Sequence, residues 1–302
     1  MAESEPALTV AICTRNRRDS LLRALASLAR QEARAAWDVL VIANATEDDT
    51  ADAVAEFARE FPVPLAVASE PALGLSHARN RALARARGRA VVYLDDDATC
   101  RAGWVEAHAE GLAAAGVIAT GGPIFPVLPQ GLEPAWRAHL EQQIGGPTCH
   151  YDFGPDPLEC GPGGAWLPFG GNFGLARAAA LQAGGFRTDL GWGRRRIPGE
   201  ETELLARLQQ RGGRVLYLPG AVVDHHVDAD RVSLANYRRW YRNQGRSLAL
   251  IDPPANRAAR VGRAAVQLAR ALAWTALGRD WHALRVREVA LGHALELLRG
   301  DG

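Results

Sequence analysis

The chain contains no lysine, so all 35 of its fixed positive side chains are arginine. A guanidinium is planar, permanently charged and suited to bidentate contact with phosphate oxygens, although genomic composition explains the bias equally well. A surplus of one charge is also missing: 35 basic residues face 34 acidic ones, for a net charge of +1. That balance argues against a general nucleic-acid binder, which needs a basic excess. Cysteine is sparse. Cys13, Cys100, Cys149 and Cys160 form no C-x-x-C pair, so neither a zinc ribbon nor a disulfide framework is indicated, and reduced structural thiols are expected. No apolar run reaches the roughly 20 residues of a membrane-spanning helix. Met1 to Pro6 is short and acidic rather than a basic, apolar leader. These absences lead to the expectation of a cytoplasmic protein, either free or peripheral at the inner face of the cell membrane. With 302 residues, 48% of them hydrophobic, the chain is long enough to bury a full α/β core.

The stretch Val91-Val92-Tyr93-Leu94-Asp95-Asp96-Asp97 organises the rest. A β-branched and aromatic run ends in three carboxylates, the pattern of a buried strand delivering charge at its carboxyl end, where ligands of open α/β sheets bind. Side chains alternate along an extended segment, so Asp95 and Asp97 project to one side and can share one partner. Hard oxygen ligands suit Mg²⁺ or Mn²⁺, an ion that also holds substrate phosphates. A solvated acidic turn capping the next helix would read the same way.

Around this stretch, apolar runs at Leu8 to Cys13, Asp38 to Ala43 and Pro62 to Ala68 alternate with helical spacings. Leu21, Leu22, Leu25 and Leu28 share one helix face, and a later helix opens at Gly74. Strands alternating with amphipathic helices predict a parallel sheet covered on both faces with right-handed crossovers.

Ala11-Ile12-Cys13-Thr14-Arg15-Asn16-Arg17, then Gly74-Leu75-Ser76-x-Ala78-Arg79-Asn80, then Leu94-Asp95-Asp96-Asp97 resemble, in order and spacing, the motifs of family 2 glycosyltransferases over roughly residues 8 to 245. The resemblance implies a GT-A fold, α/β and Rossmann-like with a mostly parallel central sheet. It also implies a nucleotide-diphospho-sugar donor, UDP-linked by default, a divalent metal bound through D-x-D, and inversion at the anomeric carbon. Asp97 is then expected as the direct metal ligand. Asp95 would approach the ribose or share the metal, and Asp96 would face the donor sugar. Thr14, Arg15 and Asn16 would hold the nucleoside, and Arg79 the diphosphate, while Arg17 reads as surface. Relatives carry a base-contacting Asp after the second strand where this chain has Ala43-Asn44. Asn44 is the candidate substitute.

In the second half, Val117 to Thr120 reads as a fifth strand. The Gly-, Pro- and Trp-rich stretch from Gly121 to Pro168 reads as an acceptor mouth, with a helix around Pro134 to Gln143. Cys149, His150 and Cys160 lie there without metal-ligand spacing. Gly170-Gly171-Asn172-Phe173 resembles the family strand beneath the acceptor, so Gly171, Asn172, Trp166 and, further on, Trp240 are candidate acceptor contacts. Gly199-Glu200-Glu201 opens a helix whose acidic first turn dipole stabilisation alone would explain. The same residues resemble the family's Glu-Asp motif, with Glu201 as the general base and Glu200 as its runner-up. His225 or His226 would complete the metal shell, and adjacent strand positions point opposite ways, so at most one does.

Asp252-Pro253-Pro254 is read as a boundary between a catalytic domain (1–250, nucleotide half 8–120, acceptor half 121–250) and a helical extension (251–302). The extension carries eight Arg against three acidic residues between Asn256 and Arg299. Packing on the catalytic domain, a homodimer contact and an anionic membrane surface all remain open for it. The expected acceptor is a saccharide, lipid-linked or small-molecule hydroxyl, in cell-surface polysaccharide or glycolipid synthesis. Two other readings stand beside the transferase. A nucleotidyltransferase would need a Gly-rich phosphate loop, and Thr14 to Arg17 contains no Gly. A silent sugar-nucleotide- or polysaccharide-binding module would not need Asp95, Asp97 and Glu201 together.

Overall fold

The computed structural model describes residues 5–161, 167–193, 195–277 and 280–299. In chain order the first half is β1 (Leu8–Thr14), α1 (Arg18–Leu28), β2 (Trp37–Asn44), α2 (Thr50–Phe57), β3 (Leu65–Glu70), α3 (Leu75–Arg85), β4 (Ala90–Leu94), β5 (Ala98–Cys100), α4 (Trp104–Ala113), β6 (Val117–Gly121) and β7 (Ile124–Val127). The second is α5 (Pro134–Gln142), β8 (Leu158–Glu159), β9 (Asn172–Ala176), α6 (Arg177–Gln182), α7 (Glu200–Gln210), β10 (Arg214–Tyr217), β11 (Val223–His226), α8 (Leu234–Ile251), α9 (Arg257–Leu277) and α10 (Trp281–Arg299).

The central sheet has the order β3-β2-β1-β4-β9-β6-β10-β8. β1, β2, β3 and β4 are mutually parallel, as the βαβ spacing predicts, with Leu8 opposite Trp37 on one side and Ala90 on the other. Every residue of β2 and β4 is buried, which is why these strands read as continuous apolar runs rather than alternating ones. The chain order turns at β1: β2 lies to one side and β4 to the other. A crevice at the carboxyl ends of the strands follows from that reversal.

β9 runs antiparallel between β4 and β6, within a sheet expected to be mostly parallel. It enters the sheet after the long irregular segment rather than through a helical crossover, so the handedness rule for βαβ units does not constrain it. Its first residue, Asn172, pairs with Leu94, the last of β4. The chain ahead of β9 therefore passes directly beside Asp95. A second sheet, β5-β11-β7, carries His225 and His226 on β11, paired antiparallel with β5 just past the aspartates.

The chain divides into two compact units, one within Met1–Thr188 and Glu200–Val227 and the other Asp189–Gly199 with Asp228–Gly302. The division lies upstream of the Pro253-Pro254 boundary read from the sequence, because α8 packs with α10. Within this second unit Gly245 of α8 and Gly292 of α10 let the backbones meet: a Cβ on Gly245 would sit 1.9 Å from the Val289 carbonyl oxygen, and one on Gly292 1.8 Å from that of Arg242. Buried carboxylates hold the same seam. Glu288 accepts from Arg242 Nε at 3.0 Å, and Glu296 from Arg246 Nε at 2.8 Å.

Candidate active site

The carboxyl ends of β1 and β4 bring three carboxylates to one place, and the surrounding residues divide them. Thr14, last of β1, donates its hydroxyl to Asp96 Oδ2 at 2.7 Å. Arg17 bridges Asp96 Oδ1 at 3.0 Å and Asp97 Oδ2 at 2.9 Å. This corrects the reading of Arg17 as surface: it is the cation at the mouth of the aspartate cluster, and its side chain keeps 34% of its exposure. Thr14 and Arg17 lie three apart beyond a strand end, a spacing that delivers both to the neighbouring strand's terminus. Burial, with Asp97 beside it, pushes the Asp96 carboxyl up to about 7 against the opposing pull of Arg17 and Thr14.

Asp97 also faces His225, whose Nε2 lies 3.3 Å from Asp97 Oδ1. His225 is 2% exposed, and its Nδ1–H donates to the Thr148 carbonyl at 2.8 Å. That bond orients the ring so that Nε2 is the atom facing the carboxylate. An imidazole nitrogen and a carboxylate oxygen side by side, with further carboxylates near, suit a shared divalent cation, and Asp97 and His225 are the residues that would hold it. Among the described residues no group of three such ligands converges. His226 turns the other way, its Nε2 3.0 Å from Thr99 Oγ1.

Arg79 is placed differently from the expectation. It is 2% exposed and surrounded by Tyr93, Phe173 and Phe186, with ring centroids 5.2 to 5.8 Å from its Cζ. Its Nη1 donates to Glu200 at 2.7 Å and its Nη2 to the Gly170 carbonyl at 2.8 Å. Asp95 is 3.7 Å away and Glu201 3.8 Å. Arg79 is thus the buried hub that ties the end of β4 to the start of α7, rather than a cation presented to a phosphate. Its position on α3, one turn ahead of Ala82 and Leu83, is the signal: it lies on that helix's buried stripe.

Gly170 and Gly171 make the hub possible. A Cβ on Gly170 would lie 2.5 Å from Arg79 Nη2, and one on Gly171 3.1 Å from Asp95 Oδ2. Gly171 thus stands against Asp95, where it was expected to line the acceptor. Glu200 and Glu201 enter as the first residues of α7, both buried. Glu200 pairs with Arg79 through Oε1, while its Oε2 has no hydrogen-bond partner among the described residues. Burial, and next the Glu200 charge, push the Glu201 carboxyl up to about 8, the direction that makes a carboxylate a stronger base.

Other candidates are spent on scaffolding. Asn172 is fully buried. Its Oδ1 accepts from Trp104 Nε1 at 2.8 Å and lies 3.1 Å from His108 Nε2, and its Nδ2 donates to the Pro123 and Ala221 carbonyls. Its amide is taken up by bonds that support the sheet. Asn44 accepts from Gly74 N at 2.9 Å and donates to the Glu70 and Ala72 carbonyls at 3.1 and 2.7 Å. It fixes the loop that starts α3, and its amide is not offered to a base. Arg15 Nε reaches the Ala45 carbonyl at 3.2 Å, and Asn16, at a φ of 53°, accepts from Glu47 N at 2.9 Å. Both shape the rim over β1 and β2. Trp240, on α8 of the second unit, is half-buried against Tyr241. Trp166 lies outside the described residues.

Residues 9–165, more than half of the chain, match the pattern of Glycosyl transferase family 2. The chain belongs to that family, and it is a glycosyltransferase of the GT-A fold. It is similar to the succinoglycan biosynthesis protein ExoM of Rhizobium meliloti (strain 1021), 28% identical over 241 residues that cover 76% of this chain and 69% of ExoM. Its fold is similar to that of the mannosyltransferase PcManGT from Pyrobaculum calidifontis in complex with GDP-Man and Mn²⁺. That similarity has a TM-score of 0.60 at 22% identity, over 99% of this chain and 89% of the other. GalNAc-T7 with UDP, GalNAc and Mn²⁺ gives a TM-score of 0.59 at 17% identity, over 95% of this chain and 55% of its own.

Proposed function

We propose that the protein moves a sugar from a nucleoside-diphosphate donor to a hydroxyl acceptor in one displacement that inverts the anomeric centre, with Mn²⁺ or Mg²⁺ at Asp97 and His225. The observation that carries this reading is the pairing of two differently prepared carboxylate sets on one buried arginine. Asp95, at the donor end of β4, and Glu200 and Glu201, at the start of α7, all lie within 3.8 Å of Arg79. Bound at Asp97, the cation would supply Lewis-acid stabilisation of the departing diphosphate. Arg17, which bridges Asp96 and Asp97, would then direct donors at the diphosphate oxygens.

Glu201 takes the proton of the acceptor hydroxyl. The acceptor oxygen forms the new bond to the anomeric carbon, and the old carbon–oxygen bond breaks with its electron pair leaving on the diphosphate. No second nucleophilic carboxylate is needed, so no glycosyl-enzyme forms. Mn²⁺ in both neighbouring complexes supports the cation. A UDP-sugar is the default donor. A GDP-sugar is the second reading, favoured by the GDP-Man complex, whose chain this one matches nearly end to end. The name of ExoM supports a saccharide acceptor in polysaccharide synthesis.

Titration calorimetry with UDP and GDP tests the donor site. Each that binds does so with Mn²⁺ and loses affinity by at least about tenfold in EDTA or in Asp97→Ala, the effect of removing a charge-bearing ligand. Equal affinity with and without the metal removes the cation assignment.

A further inference from the structure

We infer that the outward face of α9 is a docking surface for an anionic lipid bilayer, a property independent of the donor and acceptor readings. Ala264 and Ala271, seven residues apart, are the buried positions among the described side chains of this 21-residue helix, at 2% and 3% exposure. Away from that seam, Val261, Leu268 and Leu272 follow at intervals of seven and four on one stripe, 54%, 37% and 71% exposed, and Val266 adds 64% farther round. Single exposed aliphatics are ordinary on a soluble surface, but a helix-long row of them marks an interaction face.

The charges on α9 are all of one sign. Arg257, Arg260, Arg263 and Arg270 lie on it with no Asp or Glu, although Arg263 meets Asp252 from the preceding turn. At the carboxyl end of α9, Trp274 and Thr275 join Trp281, Asp280, Arg238 and Arg287 around a cavity of about 320 Å³. Indole and guanidinium side by side are the pairing found at headgroup depth. An exposed apolar stripe on a helix whose charges are all arginine describes a helix lying in the interfacial plane, and no helix among the described residues is long and apolar enough to cross a membrane.

Charge decides between a bilayer and a second copy of the chain. Isologous pairing of two α9 faces would bring like arginines together with no carboxylate on either helix to offset them. Anionic headgroups offset them directly, by an amount that salt screens.

Co-sedimentation of the full chain with vesicles tests this, using phosphatidylcholine alone and an equal mixture of phosphatidylcholine and phosphatidylglycerol. The protein partitions to the anionic vesicles at least about tenfold more strongly than to the neutral ones and is released as salt rises. The exposed double substitution Leu268→Glu/Leu272→Glu, checked for unchanged thermal unfolding, weakens that partition by a similar factor. Equal binding to both vesicles, or undiminished binding by the double variant, overturns the proposal. So does a protein that ignores vesicles but runs as a dimer separated by Leu272→Glu, which would assign the face to a second copy.

Discussion

Glu201→Gln lowers sugar transfer by at least about a hundredfold, the usual scale for losing a general base, while leaving the affinity for donor intact. Glutamine keeps the size of the side chain and a hydrogen-bonding carbonyl, but it cannot take the acceptor's proton. Glu200→Gln costs less directly, because Glu200 acts through Arg79. The pH dependence follows from the raised carboxyl. The free enzyme holds Glu201 protonated below about 8, so kcat/KM rises with pH toward that value and the glutamine variant loses this limb.

Stability moves the opposite way. The folded-state value lies above the ordinary 4.5, so between about 4.5 and 8 the folded chain keeps a proton that the unfolded chain releases. Rising pH through that window therefore destabilises the free protein. Glu201→Gln removes this contribution and melts higher than the parent at pH 8, with the difference vanishing below about 4.5. Thermal unfolding as a function of pH checks it. A variant that melts lower than the parent at pH 8 would contradict the buried-carboxylate account.

Arg79→Met destabilises the protein by about 3–5 kcal/mol, the range for removing one partner of a buried pair. Methionine fills much of the space among Tyr93, Phe173 and Phe186 but leaves Glu200 with no cation at 2.7 Å and the Gly170 carbonyl with no donor. The double variant Arg79→Met/Glu200→Gln recovers part of the loss, because the uncompensated charge goes with its partner. Denaturant unfolding of the single and double variants measures that coupling. An Arg79→Met variant of parental stability would mean that the guanidinium is not the hub. Donor affinity separates this role from direct phosphate contact: if Arg79 only positions Asp95, Glu200 and Glu201, Arg79→Lys lowers turnover more than it weakens nucleotide binding.

The half of the fold that builds the donor site was legible because its strands are local in their causes. The apolar runs of β1, β2 and β4 are buried throughout or nearly so, and β1 and β2 are each followed by a helix. The carboxylates after Leu94 mark the strand end without help from the rest of the chain. β9 was not legible as antiparallel, since its direction is set by where the irregular segment returns and not by anything within Asn172–Ala176. The polarity of single side chains misled at the site. Arg79 reads as a diphosphate contact from its motif, and only the box of Tyr93, Phe173 and Phe186 shows what the buried stripe packs against. Arg17 reads as surface because the carboxylates that hold it lie about eighty residues away. Asn172 and Asn44 read as ligand contacts because free amides are polar handles. In the fold their hydrogen bonds are already taken by Trp104, Gly74 and four carbonyls. Of the adjacent histidines, strand alternation allows at most one to face the aspartates, and the 3.3 Å approach to Asp97 identifies it as His225.

Direct displacement from a nucleoside-diphosphate sugar is tested most directly by the anomeric configuration of the first product formed. UDP- and GDP-sugars of known configuration are incubated with the protein, a saccharide acceptor and Mn²⁺, and the new glycosidic linkage is read by NMR before any equilibration. The account predicts transfer from at least one donor, an anomeric configuration opposite to that of the donor, and loss of product formation in EDTA. Retained configuration, or a rate unchanged by EDTA, would contradict it.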